Sequence, residues 1–109
     1  MAPQKPVLPP EVRRLVDLCK CELRASEVWL FGSRARGDHG PDSDFDLLAI
    51  VPDDAPLGID TPVATFRLRR LSGAHADLLT VRMGDFLAAR DTLNTISHTV
   101  AREGVRVDI

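Results

Sequence analysis

A chain of 109 residues has the size of one domain and is too short for a catalytic module with a separate substrate-binding domain. Hydrophobic residues make up 44% and charged residues 28%, which is enough apolar material for a packed core. The formal net charge of -2 argues against a protein built to coat nucleic acid, so we expect no direct nucleic-acid binding. A large substrate would have to be held mostly by another chain.

The sequence shows no targeting or membrane segment. Its proline-rich start lacks the apolar run of a signal peptide, and no stretch of about 18 uncharged apolar residues could cross a bilayer. We therefore expect a cytoplasmic protein, with a flexible tail at residues 1–10 and one domain at 11–109. Cys19 and Cys21 are predicted to be reduced thiols, because their spacing on a helix directs them apart.

Hydrophobic periodicity predicts alternating helices and strands, and therefore an α/β (α+β) domain with a small β-sheet flanked by helices. Three- and four-residue spacing of apolar side chains indicates helices, whereas short continuous apolar runs indicate buried strands. In chain order, the predicted elements are a helix over 12–23, strands over 28–31 and 45–51, a basic helix over about 63–71, a strand over 75–81, one final helix from Phe86 to near Gly104 and an edge strand over 105–109.

The loop between the first two strands carries the most informative residues. Gly32 and Ser33 follow directly on a buried strand, where a glycine and a hydroxyl let backbone N–H groups approach a polyphosphate. Ser33 could also cap a helical turn over part of this loop. The gap between Gly32 and Gly37 also fits a P-loop, but Asp38 and His39 stand where that motif requires Lys and Ser or Thr. The P-loop interpretation is therefore set aside.

Two carboxylates stand at the start of the second strand. Strand alternation places Asp44 and Asp46 on one face and Phe45 and Leu47 on the other. Such oxygen ligands suit Mg²⁺, which binds one or two carboxylates together with substrate phosphates, and two such ions can stabilise an in-line phosphoryl displacement. A bare Asp-x-Asp more often forms a turn, with the second carboxylate in solvent. The preceding loop favours the metal site instead.

The complete pattern, Gly32-Ser33, ten residues and then Asp44-x-Asp46, resembles the signature of the DNA polymerase β-like nucleotidyltransferase superfamily. A longer match resembles its minimal nucleotidyltransferases (MNT), which are often paired with HEPN-domain proteins. It consists of Leu30-Phe31-Gly32-Ser33-Arg34-Ala35-Arg36-Gly37 and Ser43-Asp44-Phe45-Asp46-Leu47-Leu48. The resemblance covers the whole chain and implies a polymerase β-like fold with a mixed sheet.

The resemblance also implies roles for individual residues. Gly32 and Ser33 would bind the triphosphate, and Asp44 and Asp46 would hold the two metal ions. Asp77, within a later apolar strand, would help hold the catalytic metal and favour removal of the acceptor proton. A carboxylate inside an apolar strand is costly unless it is paired or metal-bound, which supports that choice.

Five arginines have two interpretations each. Arg34 and Arg36 are candidate nucleotide-binding residues that could neutralise phosphate charge, although arginines in an exposed loop are often only solvated. Arg67, Arg69 and Arg70 on the basic helix could face a partner or RNA, but a solvated helix face is the more frequent situation.

The MNT resemblance implies an antitoxin of a toxin–antitoxin pair. Such proteins act on HEPN ribonuclease toxins, and some attach AMP to a tyrosine of the toxin. We therefore expect a protein adenylyltransferase that uses ATP and two Mg²⁺ ions and forms a hetero-oligomer with a HEPN toxin. A catalytically idle antitoxin that only binds is one alternative, but it would have no need of an acidic cluster whose repulsion costs stability. Transfer to a small antibiotic is another, but the larger relatives with that activity carry an extra acceptor-binding domain.

Overall fold

The computed structural model describes residues 7–109, so most of the predicted flexible tail, residues 1–6, lies outside the described residues. The first helix begins at Pro10, and Leu8 before it already packs against the core. In these residues no helix is long and apolar enough to cross a membrane. The elements are α1 (Pro10–Glu22), β1 (Glu27–Phe31), α2 (Ser33–Arg36), β2 (Phe45–Val51), α3 (Pro62–Ser72), β3 (Ala76–Arg82), α4 (Met83–Ala89), α5 (Ile96–Glu103) and β4 (Val105–Arg106).

The four strands form one mixed sheet in the order β3-β2-β1-β4. β1 is antiparallel to both β2 and β4, whereas β2 and β3 are parallel. Parallel neighbours need a crossover connection, and α3 supplies it between β2 and β3. The predicted α/β fold with a mixed sheet flanked by helices is confirmed.

Helices cover both faces of the sheet, so the fold has three layers. Leu30 and Leu47 belong to the larger apolar cluster, which α1 and α3 complete on one face. Leu48 and Ile50 belong to a smaller cluster with Phe86 of α4 and Val100 of α5 on the other face. Because both faces of β1 and β2 are covered, these strands contain the unbroken apolar runs 28–31 and 47–51.

The prediction of one final helix from Phe86 to near Gly104 is wrong, because the chain forms two helices there. α4 ends at Ala89, and α5 begins only at Ile96. Between them Asn94 takes a positive φ of 67°, and the Thr95 hydroxyl caps α5 by accepting a hydrogen bond from the His98 N–H. Phe86 and Val100 contribute to the same apolar cluster from both helices, so hydrophobic periodicity does not reveal the break.

The C-terminal segment is fixed to the start of β1 by Asp108. Its carboxylate accepts hydrogen bonds from the Val28 N–H at 3.1 Å, the Lys20 ammonium at 3.1 Å and the Arg106 guanidinium at 2.7 Å. The Asp108 side chain is fully buried, which opposes ionisation, but these hydrogen bonds outweigh burial and hold its pKa well below the usual value. Asp108 thus links α1, β1 and the chain end through one charge.

We predict that Asp108→Asn lowers the free energy of unfolding at pH 7 by about 1.5–3 kcal/mol, because charged hydrogen bonds are lost. A depressed carboxyl pKa stabilises the fold above the unfolded-state value of about 3.9, and this contribution disappears as pH falls through the folded-state pKa. Urea unfolding at several pH values measures the effect. The difference from the parent should shrink in acid, and exposed Asp17→Asn should change little. A difference that does not depend on pH would contradict this account.

Candidate active site

The loop after β1 is shaped by a glycine that contacts a carboxylate. Gly32 has φ 74° and ψ -156°, a conformation that side-chain-bearing residues rarely adopt. A Cβ atom at this position would overlap the Asp46 carboxylate. Gly32 therefore permits both the turn and the close approach of Asp46 to the backbone.

The short helix α2 follows at once, and its C-cap residue is Gly37, whose φ is 89°. The expected capping role of Ser33 is not found. Gly32 is the N-cap residue, no side chain caps the helix, and Ser33 is the first helical residue. The Ala35 and Arg36 N–H groups donate to the Gly32 carbonyl, so the glycine initiates the turn through its backbone.

The sheet register brings two of the three predicted carboxylates together. Asp46 on β2 lies directly opposite Asp77 on β3 and opposite Phe31 on β1. Alternation places Asp46 on the same face as Leu48, the face covered farther along by α4 and α5. Asp44 lies just before β2 and is exposed. All three carboxylates are therefore at the end of the sheet where the Gly32 turn lies.

The charges of two neighbouring carboxylates, Asp77 and Asp44, affect the pKa of Asp46. Its pKa is raised above the usual value, first by burial, then by the charge of Asp77 and then by that of Asp44, while Arg36 acts in the opposite direction. Carboxylates this close repel one another unless a proton or a cation is present. The fold thus concentrates negative charge at Asp46.

The exposure of Asp77 differs from what the apolar sequence of its strand predicts. Its side chain is 63% exposed, because β3 is an edge strand of the sheet. The burial cost that was expected for a carboxylate in an apolar strand is therefore absent. Its position opposite Asp46 is the observation that connects it with the site.

The oxygen donors fit a hard divalent cation that the substrate also helps to bind. Within residues 7–109, no three His, Cys, Asp or Glu side chains are arranged to hold a metal ion by themselves. Mg²⁺ commonly takes only one or two carboxylates and completes its coordination with phosphates and water. Asp46 together with Asp44 or Asp77 meets that need.

The Arg34 guanidinium packs on the face of the sheet opposite to Asp46. It donates to the Ser43 carbonyl at 2.8 and 3.0 Å and to the Pro41 carbonyl at 3.3 Å, and it lies 4.5 Å from the centroid of the Phe45 ring. Phe45 packs in the cluster on the α1 and α3 face, opposite to Asp46. Arg34 therefore secures the loop in this structure, and its predicted contact with nucleotide stays a prediction.

Arg36 is better placed to influence a bound anion. It forms ion pairs of 3.1 Å with both Asp38 and Glu103, and its charge counteracts the raised pKa of Asp46. Glu103 lies at the end of α5, so this contact ties the loop to the helices on the Asp46 face. Sequence reasoning did not identify Glu103, because nothing in the local sequence relates it to a loop 67 residues earlier.

Arg69 is a neighbour of the site, although the sequence favours a solvated helix face for it. Its Nη2 lies 3.9 Å from Oδ1 of Asp77, and its buried Nε has no hydrogen-bond partner within the described residues. The contact joins α3 to the edge strand β3, and it depends on how the two elements pack. Arg69 and Asp77 are eight positions apart on two different elements, so hydrophobic periodicity does not predict their contact.

A cavity of about 460 Å³ adjoins Asp44 on the side of the α1 N-terminus. Glu11, Arg34 and His75 line it, but Gly32, Ser33, Asp46 and Asp77 do not. The cavity and the carboxylate group therefore meet only at Asp44, and the carboxylates themselves lie at the end of the sheet beside the Gly32 turn.

A mixed sheet with a glycine turn beside paired strand carboxylates defines the nucleotidyltransferase class of fold, and comparison with known proteins agrees. The chain belongs to the nucleotidyltransferase domain family, whose model matches residues 12–97. No curated protein sequence matches this chain.

Two solved structures resemble the chain in fold. One is a crystal structure of a toxin–antitoxin with AMP-PNP, with a TM-score of 0.57 and 18% identity over 88% of this chain and 70% of that chain. The other is a candidate nucleotidyltransferase from Sulfolobus solfataricus, with a TM-score of 0.50 and 22% identity over 97% of this chain and 89% of that chain. Both confirm the predicted nucleotidyltransferase fold.

We predict that Gly32→Ala lowers the free energy of unfolding by about 1–3 kcal/mol and displaces Asp46, because the new methyl group overlaps its carboxylate. Magnesium-dependent ATP binding should weaken at least about tenfold as a consequence. Gly37→Ala is the matched control, since its φ is also positive but an added Cβ meets nothing within 4 Å. Urea unfolding and calorimetric titration would compare the two. Equal losses of ATP binding would show that backbone strain alone matters, not the contact with Asp46.

Proposed function

We propose that this chain is a metal-dependent protein adenylyltransferase that transfers AMP from ATP to a hydroxyl, a tyrosine of a HEPN toxin, and so acts as an antitoxin. Asp44, Asp46 and Asp77 are the proposed metal-binding and catalytic residues. Gly32, Ser33, Arg34 and Arg36 are the proposed nucleotide-binding residues. The family membership of the chain supports nucleotidyl transfer as the reaction class.

The observation that carries the proposal is the pairing of Asp46 with Asp77 beside the Gly32 turn. A backbone turn without a side chain can approach a triphosphate closely, and adjacent carboxylates can share the cations that accompany it. The two requirements of phosphoryl transfer, an anion-binding turn and oxygen ligands for cations, therefore meet at one end of β2.

The reaction assigned to this site is an in-line displacement. The acceptor oxygen forms a bond to the α-phosphorus of ATP, the bond from that phosphorus to the bridging oxygen breaks, and pyrophosphate leaves. Asp77 would accept the acceptor proton, and its exposure allows that proton to pass to water. Mg²⁺ held by Asp44, Asp46 and Asp77, when bound, would neutralise charge on the reacting phosphates. Arg36 would add a fixed positive charge on the same side.

Two further observations support a protein partner and an adenine nucleotide. The similar toxin–antitoxin structure contains AMP-PNP. Within residues 7–109 the carboxylate group lies at one end of the sheet, and only Asp44 of this group adjoins the cavity beside the α1 N-terminus. A partner protein that brings its own hydroxyl would complete such a site.

A catalytically idle antitoxin is the competing function. It would share this fold, and within residues 7–109 no three His, Cys, Asp or Glu side chains are arranged to hold a metal ion by themselves. A protein that only binds its toxin would not need them to do so. The two functions make opposite predictions for variants of the carboxylates.

We predict that Asp44→Asn and Asp46→Asn each reduce nucleotide transfer at least about 100-fold, because cation stabilisation of the reacting phosphates is lost. Transfer of label from α-labelled ATP to a co-expressed HEPN protein measures this. Asp54→Asn, an exposed change beyond the other end of β2, should leave transfer unchanged.

The same variants should remain folded. Since burial and neighbouring charges raise the pKa of Asp46, its ionisation costs folding free energy, and stability falls as pH rises through that raised pKa. At neutral pH Asp46→Asn should therefore melt at the same temperature as the parent or higher. Full transfer by an Asp44→Asn and Asp46→Asn double variant would refute the enzyme, and neutralisation of the toxin by that variant would favour the idle antitoxin.

A further inference from the structure

We propose that the outer face of α3 is the docking surface for the protein acceptor, and that it binds a partner segment with apolar side chains flanked by acidic ones. We call this face the α3 surface. It consists of Val63, Phe66, Arg67, Arg70 and Leu71. The inference rests on the proposed function and adds the place and the chemistry of partner binding.

The α3 surface is an exposed apolar strip with a shallow depression of about 430 Å³. Val63 is 78%, Phe66 56% and Leu71 48% exposed, while Leu68 on the opposite side of α3 is buried in the core. Isolated exposed apolar residues are common, but several that adjoin one depression mark an interaction site. The helix therefore has two apolar faces, of which the fold covers only one.

The charges of the α3 surface indicate an acidic partner. Arg70 lies 6.0 Å from the centroid of the Phe66 ring, and within the described residues neither Arg67 nor Arg70 forms an ion pair. Aromatic and arginine side chains that lie together are typical of the residues that contribute most to protein interfaces. Two unpaired guanidinium groups at the border of an apolar strip match carboxylates around an apolar centre.

A protein partner fits this surface better than RNA does. Single-stranded RNA is bound by several stacking aromatic rings in a positive groove, whereas this face has one ring, already close to Arg70. The chain also carries a formal net charge of -2. Apolar contact with Val63 and Leu71 has a counterpart on a protein, but not on a phosphate backbone.

The α3 surface is joined to the carboxylate group through Arg69. This residue is on the same helix, and its Nη2 lies 3.9 Å from Oδ1 of Asp77. A partner bound to α3 would therefore lie beside the carboxylate to which we assign the acceptor proton. Docking and delivery of the acceptor hydroxyl then use adjacent parts of one edge of the molecule.

Two designed helical peptides of about 18 residues test the docking chemistry directly. Both carry leucines on one face, and they differ only in having glutamate or lysine on the flanks. We expect fluorescence anisotropy to show at least about tenfold tighter binding of the glutamate peptide. Phe66→Ser should weaken that binding about tenfold, and Arg67→Glu with Arg70→Glu should reverse the preference. The matched controls, exposed Leu93→Ser and Arg102→Glu, should bind like the parent.

Each other outcome would overturn the inference. These are equal binding of both peptides, no binding of either, or no effect of the α3 variants although thermal melts show them folded. A single-stranded RNA oligonucleotide that binds the parent but not the Arg67→Glu and Arg70→Glu variant would assign the surface to nucleic acid instead. Label transfer from ATP is measured separately. Intact transfer with no peptide discrimination overturns docking alone, whereas discrimination without transfer leaves docking and refutes the proposed function.

Discussion

The parallel pairing of β2 with β3 is the constraint on which the candidate site depends. It sets Asp46 opposite Asp77, although the two residues are 31 positions apart in the chain. β2 is the best buried strand, since Leu47, Leu48, Ala49, Ile50 and Val51 are fully inaccessible to solvent. A shift of the strand by one residue would move every one of these side chains to the opposite face. The apolar core therefore fixes the position of the carboxylates, and the Gly32 turn adapts to Asp46 at the end of the same strand pair.

This arrangement holds mutually repelling carboxylates close together at the end of a buried strand. The charges of Asp44 and Asp77 and partial burial all oppose ionisation of Asp46. Asp108 shows the contrasting situation, in which three hydrogen-bond donors stabilise a buried carboxylate and lower its pKa. The fold thus provides hydrogen-bond donors for the Asp108 carboxylate but places like charges beside the partly buried Asp46 carboxylate. A carboxylate without fixed partners at a sheet end is free to interact with a cation that arrives with its substrate.

The sequence predicted the strands well, because their apolar runs reflect burial on both faces, and it predicted the mixed sheet and nucleotidyltransferase fold through the loop motif. It failed where long-range packing decides the outcome. The break between α4 and α5 depends on Asn94 and Thr95 within an otherwise continuous apolar period. The contacts of Arg34 with loop carbonyls and of Arg69 with Asp77 depend on how the loop closes and how α3 packs. The roles proposed for Asp44, Asp46 and Asp77 rest on the resemblance, while the structure shows that these residues lie at the same end of the sheet.

The central claim is that this carboxylate group receives divalent cations together with a nucleoside triphosphate. Crystals grown with Mn²⁺ and AMP-PNP test it most directly, because anomalous scattering locates manganese independently of the nucleotide. The account predicts manganese bound by Asp46, with Asp44 or Asp77 as a second ligand, and the triphosphate along the Gly32 turn. Nucleotide bound elsewhere, or at this turn with no manganese on Asp46, would contradict it.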